Sequence, residues 1–280
     1  GAGSTAARND VINGTGNVSI SGVIAAGVSA GSGLVYNGSG ILALSGANTF
    51  TGGVTISSGR LSINSTGTAG ASGPLGNGGT FTINGGTIDN TSGSAKVLLN
   101  VNPITVGGDF AFSTSAGTAS NNLTLPGAVT LGADRTITLH GAGALTLSGL
   151  ATNSSDSVRT LTVNNGAGTT AATLLTLSGG YNLTGAGSTA ARNDVINGTG
   201  NVSISGVIAD GVSAGSGVTY TGTGKLTLSG ANTYTGVTTI SSGTINLGSS
   251  TALGGAGNLK FLGGTLQAGV TATYTNNVTG

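Results

Sequence analysis

The sequence predicts an all-β protein, a parallel β-solenoid of roughly 12–13 coils with no significant α-helix. Three observations support this fold class. The composition favours strands and tight turns over helices, short apolar–polar–apolar phrases recur along the chain, and a segment of 25 residues returns letter for letter.

The composition is typical of strands joined by turns. Of 280 residues 56 are Gly, and Thr, Val, Ile, Ser and Asn are abundant. Glu is absent and Lys is scarce, so most of the residues that favour helices are missing. The positive mean hydropathy of +0.28, with apolar residues in short alternating runs, argues against a disordered Gly/Ser linker.

Composition also limits the chemistry. A net charge of +1 gives no electrostatic basis for binding nucleic acid or an anionic membrane surface. The absence of Cys excludes disulfides and thiolate metal sites. No apolar run approaches the roughly 20 residues of a membrane helix, so we expect no membrane insertion in this stretch. We predict no cofactor and no metal site.

A strand phrase, in which a small or polar residue lies between two apolar ones, returns throughout the chain. On a strand this alternation directs one face to the interior and the other to solvent. At roughly 22 residues per coil the phrases describe a rod on the order of 60 Å long, whereas a β-sandwich would need longer strands and hairpin turns. The phrases begin at Val18, Leu42, Leu61, Phe81, Ile137, Leu145, Leu161, Leu175, Val202, Leu226, Ile245 and Leu259.

The recurrence defines the domain organisation. Gly1–Ala25 is identical to Gly185–Ala209, and a looser likeness continues as far as Ile63 and Leu247. We predict a first supra-repeat over residues 1–184 and a partial second one over residues 185–280, both in the same solenoid. The identical segments should fold identically, on the order of 40 Å apart along one axis.

The alternation predicts which side chains lie inside. We expect the apolar residues on either side of each small or polar centre to be buried, together with the middle residue of each Thr-x-Thr triplet, such as Thr49-Phe-Thr51 and Thr233-Tyr-Thr235. The predicted interior residues are Leu42, Leu44, Ile56, Leu61 and Ile63 in the first supra-repeat and Leu226, Leu228, Ile240, Ile245 and Leu247 in the second.

Few residues offer catalytic chemistry. A triad would need His140, with Asp134 six residues before it, but a turn residue at a strand end is the favoured interpretation. The second candidate is a pair of carboxylates, of the kind that β-helix enzymes use to cleave polysaccharides. We favour the other interpretation, in which the acids are solvated turn or cap residues. The seven acids are Asp10, Asp89, Asp109, Asp134, Asp156, Asp194 and Asp210. We therefore predict no catalytic residues.

Repeated polar patterns offer binding sites. Opposite charges lie two positions apart, on one face of an extended segment, at Arg8 and Asp10 and again at Arg192 and Asp194. They could form a repeated ligand site, but we favour a weak surface ion pair. The Thr-x-Thr triplets are too irregular for an ice-binding ladder. The calcium motif of bacterial repeats is absent.

Two long phrases resemble a known family. They are Gly224-Lys-Leu-Thr-Leu-Ser-Gly-Ala-Asn-Thr-Tyr-Thr-Gly236 with the strands after it, and Gly40-Ile-Leu-Ala-Leu-Ser-Gly-Ala-Asn-Thr-Phe-Thr-Gly52. This pattern resembles the autotransporter-associated β-strand repeat of bacterial autotransporter passengers and giant surface proteins. The resemblance implies a right-handed parallel β-helix, export across the bacterial envelope, and display at or beyond the cell surface. It implies no reaction.

Two functional hypotheses follow. The first is a non-catalytic structural or adhesive region of a bacterial surface or extracellular fibre protein. Its partners would be a host or neighbouring-cell surface or glycan, or like solenoids packing laterally or end to end. The alternative is a glycan-binding or glycan-cleaving β-helix enzyme fragment. Acids gathered in one groove would favour the enzyme, and scattered acids the fibre.

Overall fold

The computed structural model describes residues 6–113, 121–170, 173–255 and 257–280. Within these residues the regular structure consists of short strands, and no α-helix is present. The strands pair in parallel with strands about one turn further along the chain, as in β1 (Asn9–Ile12) with β3 (Gly33–Tyr36). The prediction of an all-β parallel solenoid without helices is therefore confirmed.

The contacts divide the chain into two compact units. The described residues of the first unit lie within 1–129, 140–146 and 166–172, and those of the second within 130–139, 147–165 and 173–280. Strands β13 (Val129–Leu131) and β15 (Leu145–Leu147) contribute residues to both units.

The first unit is built from short strands stacked in three sheets. Besides β1 and β3 these are β2 (Val18–Ile20), β4 (Ile41–Leu44), β5 (Val54–Ile56), β6 (Arg60–Ile63), β7 (Phe81–Ile83), β8 (Thr87–Asp89), β9 (Lys96–Val97), β10 (Ile104–Val106), β11 (Phe110–Phe112) and β12 (Leu123–Leu125). Within the unit, one sheet has the order β1-β3-β5-β7-β10 and the second β2-β4-β6-β8-β11, while β9 pairs with β12.

The second unit repeats this plan. Its strands are β14 (Arg135–Leu139), β16 (Ala151–Asn153), β17 (Thr160–Asn165), β18 (Leu174–Leu177), β19 (Tyr181–Thr184), β20 (Asn193–Asn197), β21 (Asn201–Ile204), β22 (Ile208–Gly211), β23 (Gly217–Tyr220), β24 (Lys225–Leu228), β25 (Thr238–Ile240), β26 (Thr244–Leu247), β27 (Leu259–Phe261), β28 (Thr265–Ala268) and β29 (Val278–Thr279). The sheet orders within the unit are β16-β19-β22, β14-β17-β20-β23-β25-β27-β29 and β18-β21-β24-β26-β28.

The turns number about 10 over the two units, fewer than the 12–13 coils expected. The difference arises because turn length varies more than the phrases indicate. Leu34 pairs with Val54, 20 positions on, whereas Leu161 pairs with Ile196, 35 positions on. Loops such as residues 185–192 lengthen the turn without adding a strand.

The interior is formed by the residues that the alternation predicted. All ten aliphatic residues assigned to the interior are at most 1% exposed. The middle residues of the Thr-x-Thr triplets are buried too, among them Phe50, Phe81, Ile137 and Tyr234. Each fully buried aliphatic side chain stabilises the fold by roughly 1.5–3 kcal/mol, so stability accumulates turn by turn.

The two copies of the repeat have the same register inside their own units. The segments compared are residues 6–25 and 190–209 with the strands that follow them, since residues 1–5 lie outside the described part of the chain. Corresponding pairs, 184 positions apart, are Asn9–Gly33 and Asn193–Gly217, Val18–Leu42 and Val202–Leu226, and Leu42–Leu61 and Leu226–Ile245. The sequence therefore reproduces the same pairing twice.

Candidate functional site

The most regular element of the structure is the motif that the two copies share, and its buried Asn holds three turns together. Asn48 and Asn232 occupy the same repeat position and are at most 3% exposed. Each amide accepts a hydrogen bond from the turn before and donates one to the turn after, so it satisfies backbone groups that no strand ladder reaches. The bonds are Ile24 N–H to Asn48 Oδ1 (2.8 Å), Asn48 Nδ2 to Pro74 O (3.0 Å), Ile208 N–H to Asn232 Oδ1 (2.8 Å) and Asn232 Nδ2 to Ala252 O (2.6 Å).

The aromatic residue of the motif has a matched partner in each copy. In the second copy a hydrogen bond of 2.6 Å joins the Tyr234 and Thr238 hydroxyls, both buried. The first copy has Phe50 and Val54 at the same positions, and both are buried. The hydroxyls are therefore present together or absent together, which avoids an unpartnered polar atom in the interior.

The glycine between the last two strands of the motif is required by its surroundings. Gly59 and Gly243 both have φ of +64°. A Cβ atom at Gly59 would meet the Gly38 carbonyl oxygen at 2.3 Å and the hydroxyl of buried Tyr36 at 3.0 Å. The position therefore permits only glycine.

The second unit contains a buried polar cluster centred on Asp194, which is 1% exposed on β20. Asn153 Nδ2 donates to both carboxylate oxygens at 3.0 Å, and the Tyr181 hydroxyl donates to Oδ2 at 2.7 Å. The backbone N–H of Arg159 donates to Oδ1 at 2.9 Å. Strands β16 and β19 and the segment before β17 thus supply the donors around this one carboxylate.

Burial dominates the electrostatics of the cluster. Burial raises the pKa of Asp194, against the lowering effect of the hydrogen bonds it accepts and of nearby Arg192. Burial and the adjacent Asp194 charge raise the pKa of Tyr181 well above its usual value, so its hydroxyl remains a donor. The arrangement fixes neighbouring turns rather than offering a free base to a substrate.

Arg192 lies beside this cluster and is directed to other partners. Its side chain is 4% exposed and forms an ion pair with Asp156, with Nη2 and Oδ1 2.5 Å apart. Nη1 donates to the Ser155 carbonyl at 2.5 Å, and Nη2 also donates to the Ser188 hydroxyl. A hydrogen bond from the Thr189 N–H, more than the charge of Arg192, lowers the pKa of Asp156.

The expected surface pair of Arg192 with Asp194 is therefore wrong for the second copy. Both residues are buried and each binds groups from earlier turns. In the first copy, Arg8 and Asp10 are exposed and line a shallow pocket with Ala25, Ala26, Gly27, Ser29 and Ser32. Identical sequence thus lies in two environments.

The expectation that the acids are solvated turn or cap residues also fails at Asp89. This carboxylate ends β8, is 2% exposed, and lies 3.2 Å from Arg60 Nε. Burial raises the pKa of Asp89, and the nearby Ser62 hydroxyl and the Arg60 charge act in the opposite direction. Asp134, by contrast, is exposed; it accepts from the Thr160 N–H at 3.0 Å and lies 3.7 Å from Arg159 Nη1.

His140 directly follows β14, the strand-end position predicted for it. Its ring packs over Gly166, where a Cβ atom would approach the ring to 2.2 Å, and no hydrogen bond to Nδ1 is formed within the described structure. Among the described residues, no group of three His, Cys, Asp or Glu side chains is placed to hold a metal ion. The same residues include no helix long and apolar enough to span a membrane.

Sequence reasoning missed the cluster around Asp194. Its members lie 13 to 41 positions away from Asp194 and come together only through stacking. One signal was present: Asp156 and Arg159 stand close together in a chain with only 15 charged residues, shortly before the identical segment returns.

These features define the class of protein. Short parallel strands, motif glycines and buried Asn bridges describe a β-solenoid repeat protein, in which each turn is stabilised mainly by its neighbours.

The family model described as the passenger-associated-transport-repeat matches residues 34–63 and 218–247, two segments related by the 184-residue repeat. With the solenoid fold, these matches are consistent with an autotransporter passenger repeat protein, as predicted. The repeat family is not a known enzyme family, and it implies a secreted or surface-displayed protein. No curated protein and no solved structure gave a significant match.

Proposed function

We propose that this chain is a non-catalytic structural and adhesive region of a bacterial surface or extracellular fibre protein. One observation carries the proposal: the same 25 residues and the same strand register occur twice, 184 positions apart. A unit that repeats in this way presents the same outer surface at intervals, which multiplies weak contacts. We also propose that residues 1–184 and 185–280 belong to one continuous solenoid.

The repeated outer surface includes apolar side chains that both copies leave in solvent. Val23 and Val28 are 62% and 69% exposed, and the corresponding Val207 and Val212 are 42% and 60% exposed. Single exposed valines are ordinary, but exposure of the same two in each copy gives a periodic contact point. Its partner would be a cell surface, a glycan, or a like solenoid.

The adhesive part is tested with the purified chain coupled at high density to beads. Beads should bind bacterial or host cells, or a glycan array, while the chain free in solution binds weakly. The double variant Val28→Lys/Val212→Lys should reduce bead binding at least about tenfold if weak contacts combine. Val158→Lys, at a valine that is 47% exposed outside the repeat motif, is the matched control. Binding that is absent, or equal in both variants, would contradict this adhesive surface.

The alternative of a glycan-cleaving enzyme draws on three of the four carboxylates of the second unit, those of Asp134, Asp156 and Asp194. Each is hydrogen-bonded to the protein itself, and each lies near an arginine or a set of buried donors. We therefore favour the structural role. Incubating the chain with bacterial and plant polysaccharides should release no reducing ends; release that is lost in Asp156→Asn would favour the enzyme.

A further inference from the structure

We propose that the first unit carries a binding site for a first-row transition metal ion, with Zn²⁺ as the ion to test. The ligands are Asp89 Oδ1, Ser113 Oγ and His140 Nδ1, all from residues of this unit. The inference goes beyond the proposed function and does not depend on it, because neither adhesion nor fibre formation uses these three side chains.

Backbone hydrogen bonds place the three ligands in one column across neighbouring turns. The Ser113 N–H donates to the Ile88 carbonyl at 2.9 Å, which places Ser113 beside Asp89. The His140 N–H donates to the Phe112 carbonyl at 2.9 Å, which places His140 beside Ser113. Neighbouring parallel strands are about 4.8 Å apart. Asp89 and His140 therefore flank Ser113, and a single ion at the middle position lies within reach of both side chains.

The polar atoms of this column are buried and have no hydrogen-bond partners. Asp89 and Ser113 are each 2% exposed. Within the described structure, Asp89 Oδ1, Ser113 Oγ and His140 Nδ1 are buried atoms that form no hydrogen bond. In the same part of the chain Ser113 is the one non-glycine residue with a positive φ, +67°, a strained conformation of the kind found at ligand sites. Buried polar atoms are normally paired, and a bound ion would satisfy all three at once.

The donor atoms indicate which ion fits. Calcium and magnesium take oxygen ligands, whereas an imidazole nitrogen combined with a carboxylate oxygen suits zinc and its neighbours in the first row. The site has one acid and one imidazole, and the hydroxyl of Ser113 is a weaker ligand than either. We therefore expect weaker binding than at a site built from three or four His, Cys or Asp side chains.

Arg60 orients the carboxylate of Asp89 and leaves one of its oxygens available. Arg60 Nε lies 3.2 Å from Asp89 Oδ2, whereas Oδ1 has no hydrogen-bond donor. Outer partners of this kind fix the direction of a ligating carboxylate, although the guanidinium charge also opposes a cation and so limits the affinity. Asp194 differs, because protein donors bind both of its oxygens. Half-buried His140 gives the ion access from solvent.

The test titrates the 280-residue chain, without an affinity tag, with Zn²⁺ in a calorimeter. We expect saturable binding that Asp89→Asn and His140→Gln each weaken at least about tenfold. Asp194→Asn is the matched control, since this acid is also buried but its oxygens already accept hydrogen bonds, and it should bind Zn²⁺ as the wild type does. Circular dichroism verifies that each variant is folded. Absence of saturable binding, or full affinity in both ligand variants, would overturn the proposal.

A second readout needs no substitution, so it stands even if a variant fails to fold. His140 is the only His of the chain, and its reaction with diethylpyrocarbonate can be followed by mass spectrometry. Saturating Zn²⁺ should slow this reaction at least about tenfold, because an imidazole that coordinates through Nδ1 keeps its proton on Nε2 and has no free nitrogen. Mg²⁺ at the same concentration should leave the rate unchanged. A rate that Zn²⁺ does not alter would contradict coordination by His140.

Discussion

The two identical segments of this chain, residues 6–25 and 190–209, form the same strand pairs with the turn that follows them and differ in the turn that precedes them. Arg192 and Asp194 lie against a preceding turn, and both are buried. The described residues include no turn before Arg8 and Asp10, and both are exposed. In this solenoid, pairing follows from local sequence, whereas burial and charge environment follow from the neighbouring turn.

One strand also depends on the neighbouring turn rather than on local sequence. Residues 208–211 form β22, which pairs with β19 of the preceding turn, whereas the equivalent residues 24–27 are not in a strand. Their sequences differ only in that Asp210 replaces Ala26. The strand therefore forms where a partner backbone is available.

The largest expected contrast concerns a buried aliphatic side chain. Ile204 is fully buried and Ile20 is half-buried. Ile204→Ala should lower the free energy of unfolding by about 3–4 kcal/mol, because it leaves a cavity between two covered strands, and Ile20→Ala by about 1 kcal/mol. Urea unfolding followed by circular dichroism measures both. Equal losses would mean that the preceding turn does not seal the second copy.

A smaller difference in stability is expected between variants of Asp194 and variants of Asp10. Asp194→Ala leaves the Tyr181 hydroxyl and the Arg159 N–H without their acceptor and leaves the Asn153 amide with only the Ser157 carbonyl, so it should cost about 2–3 kcal/mol. Asp10→Ala, at an exposed side chain, should change stability by less than about 0.5 kcal/mol. The same urea titration applies. A neutral Asp194→Ala would show that the cluster does not hold the turns together.

The paired hydroxyls of the motif predict a coupling of about 1 kcal/mol. Tyr234→Phe should leave the buried Thr238 hydroxyl with only its 3.5 Å hydrogen bond to the Leu253 carbonyl and lower stability by about 1–1.5 kcal/mol. The double variant Tyr234→Phe/Thr238→Val, which restores the Phe50–Val54 pair of the first copy, should recover most of that loss. A double-mutant cycle measures the coupling; strictly additive losses would contradict a matched pair.

The smallest effect is a pH dependence. Burial places the pKa of Asp194 in the folded state above its unfolded value of about 3.8. As pH rises above that value, the unfolded state loses its proton first, so this group's contribution to stability falls until the folded pKa is passed. The stability of the wild type relative to Asp194→Asn should therefore decrease as pH rises from about 3 to about 7. Asp10→Asn is the matched control. A relative stability that increases over this interval would contradict burial as the dominant cause.

Much of the fold could be predicted because the alternation is local. The burial of a residue such as Leu228 can be predicted from the alternation of the residues beside it along the strand, and all ten interior assignments were correct. The number of turns was overestimated because a loop such as residues 185–192 adds length without an apolar phrase. The cluster at Asp194 escaped prediction because its environment depends on residues up to 41 positions away, which the strand pattern around Asp194 does not specify.

The central claim is that a preceding turn, and not the local sequence, decides burial. Single-cysteine variants Ile20→Cys and Ile204→Cys test it directly, because the reporters lie in identical sequence and the chain has no other Cys. Under native conditions Ile204→Cys should react with a maleimide at least about 100-fold more slowly than Ile20→Cys, since reaction requires local opening of the covering turn. Equal rates at the two positions would contradict the account.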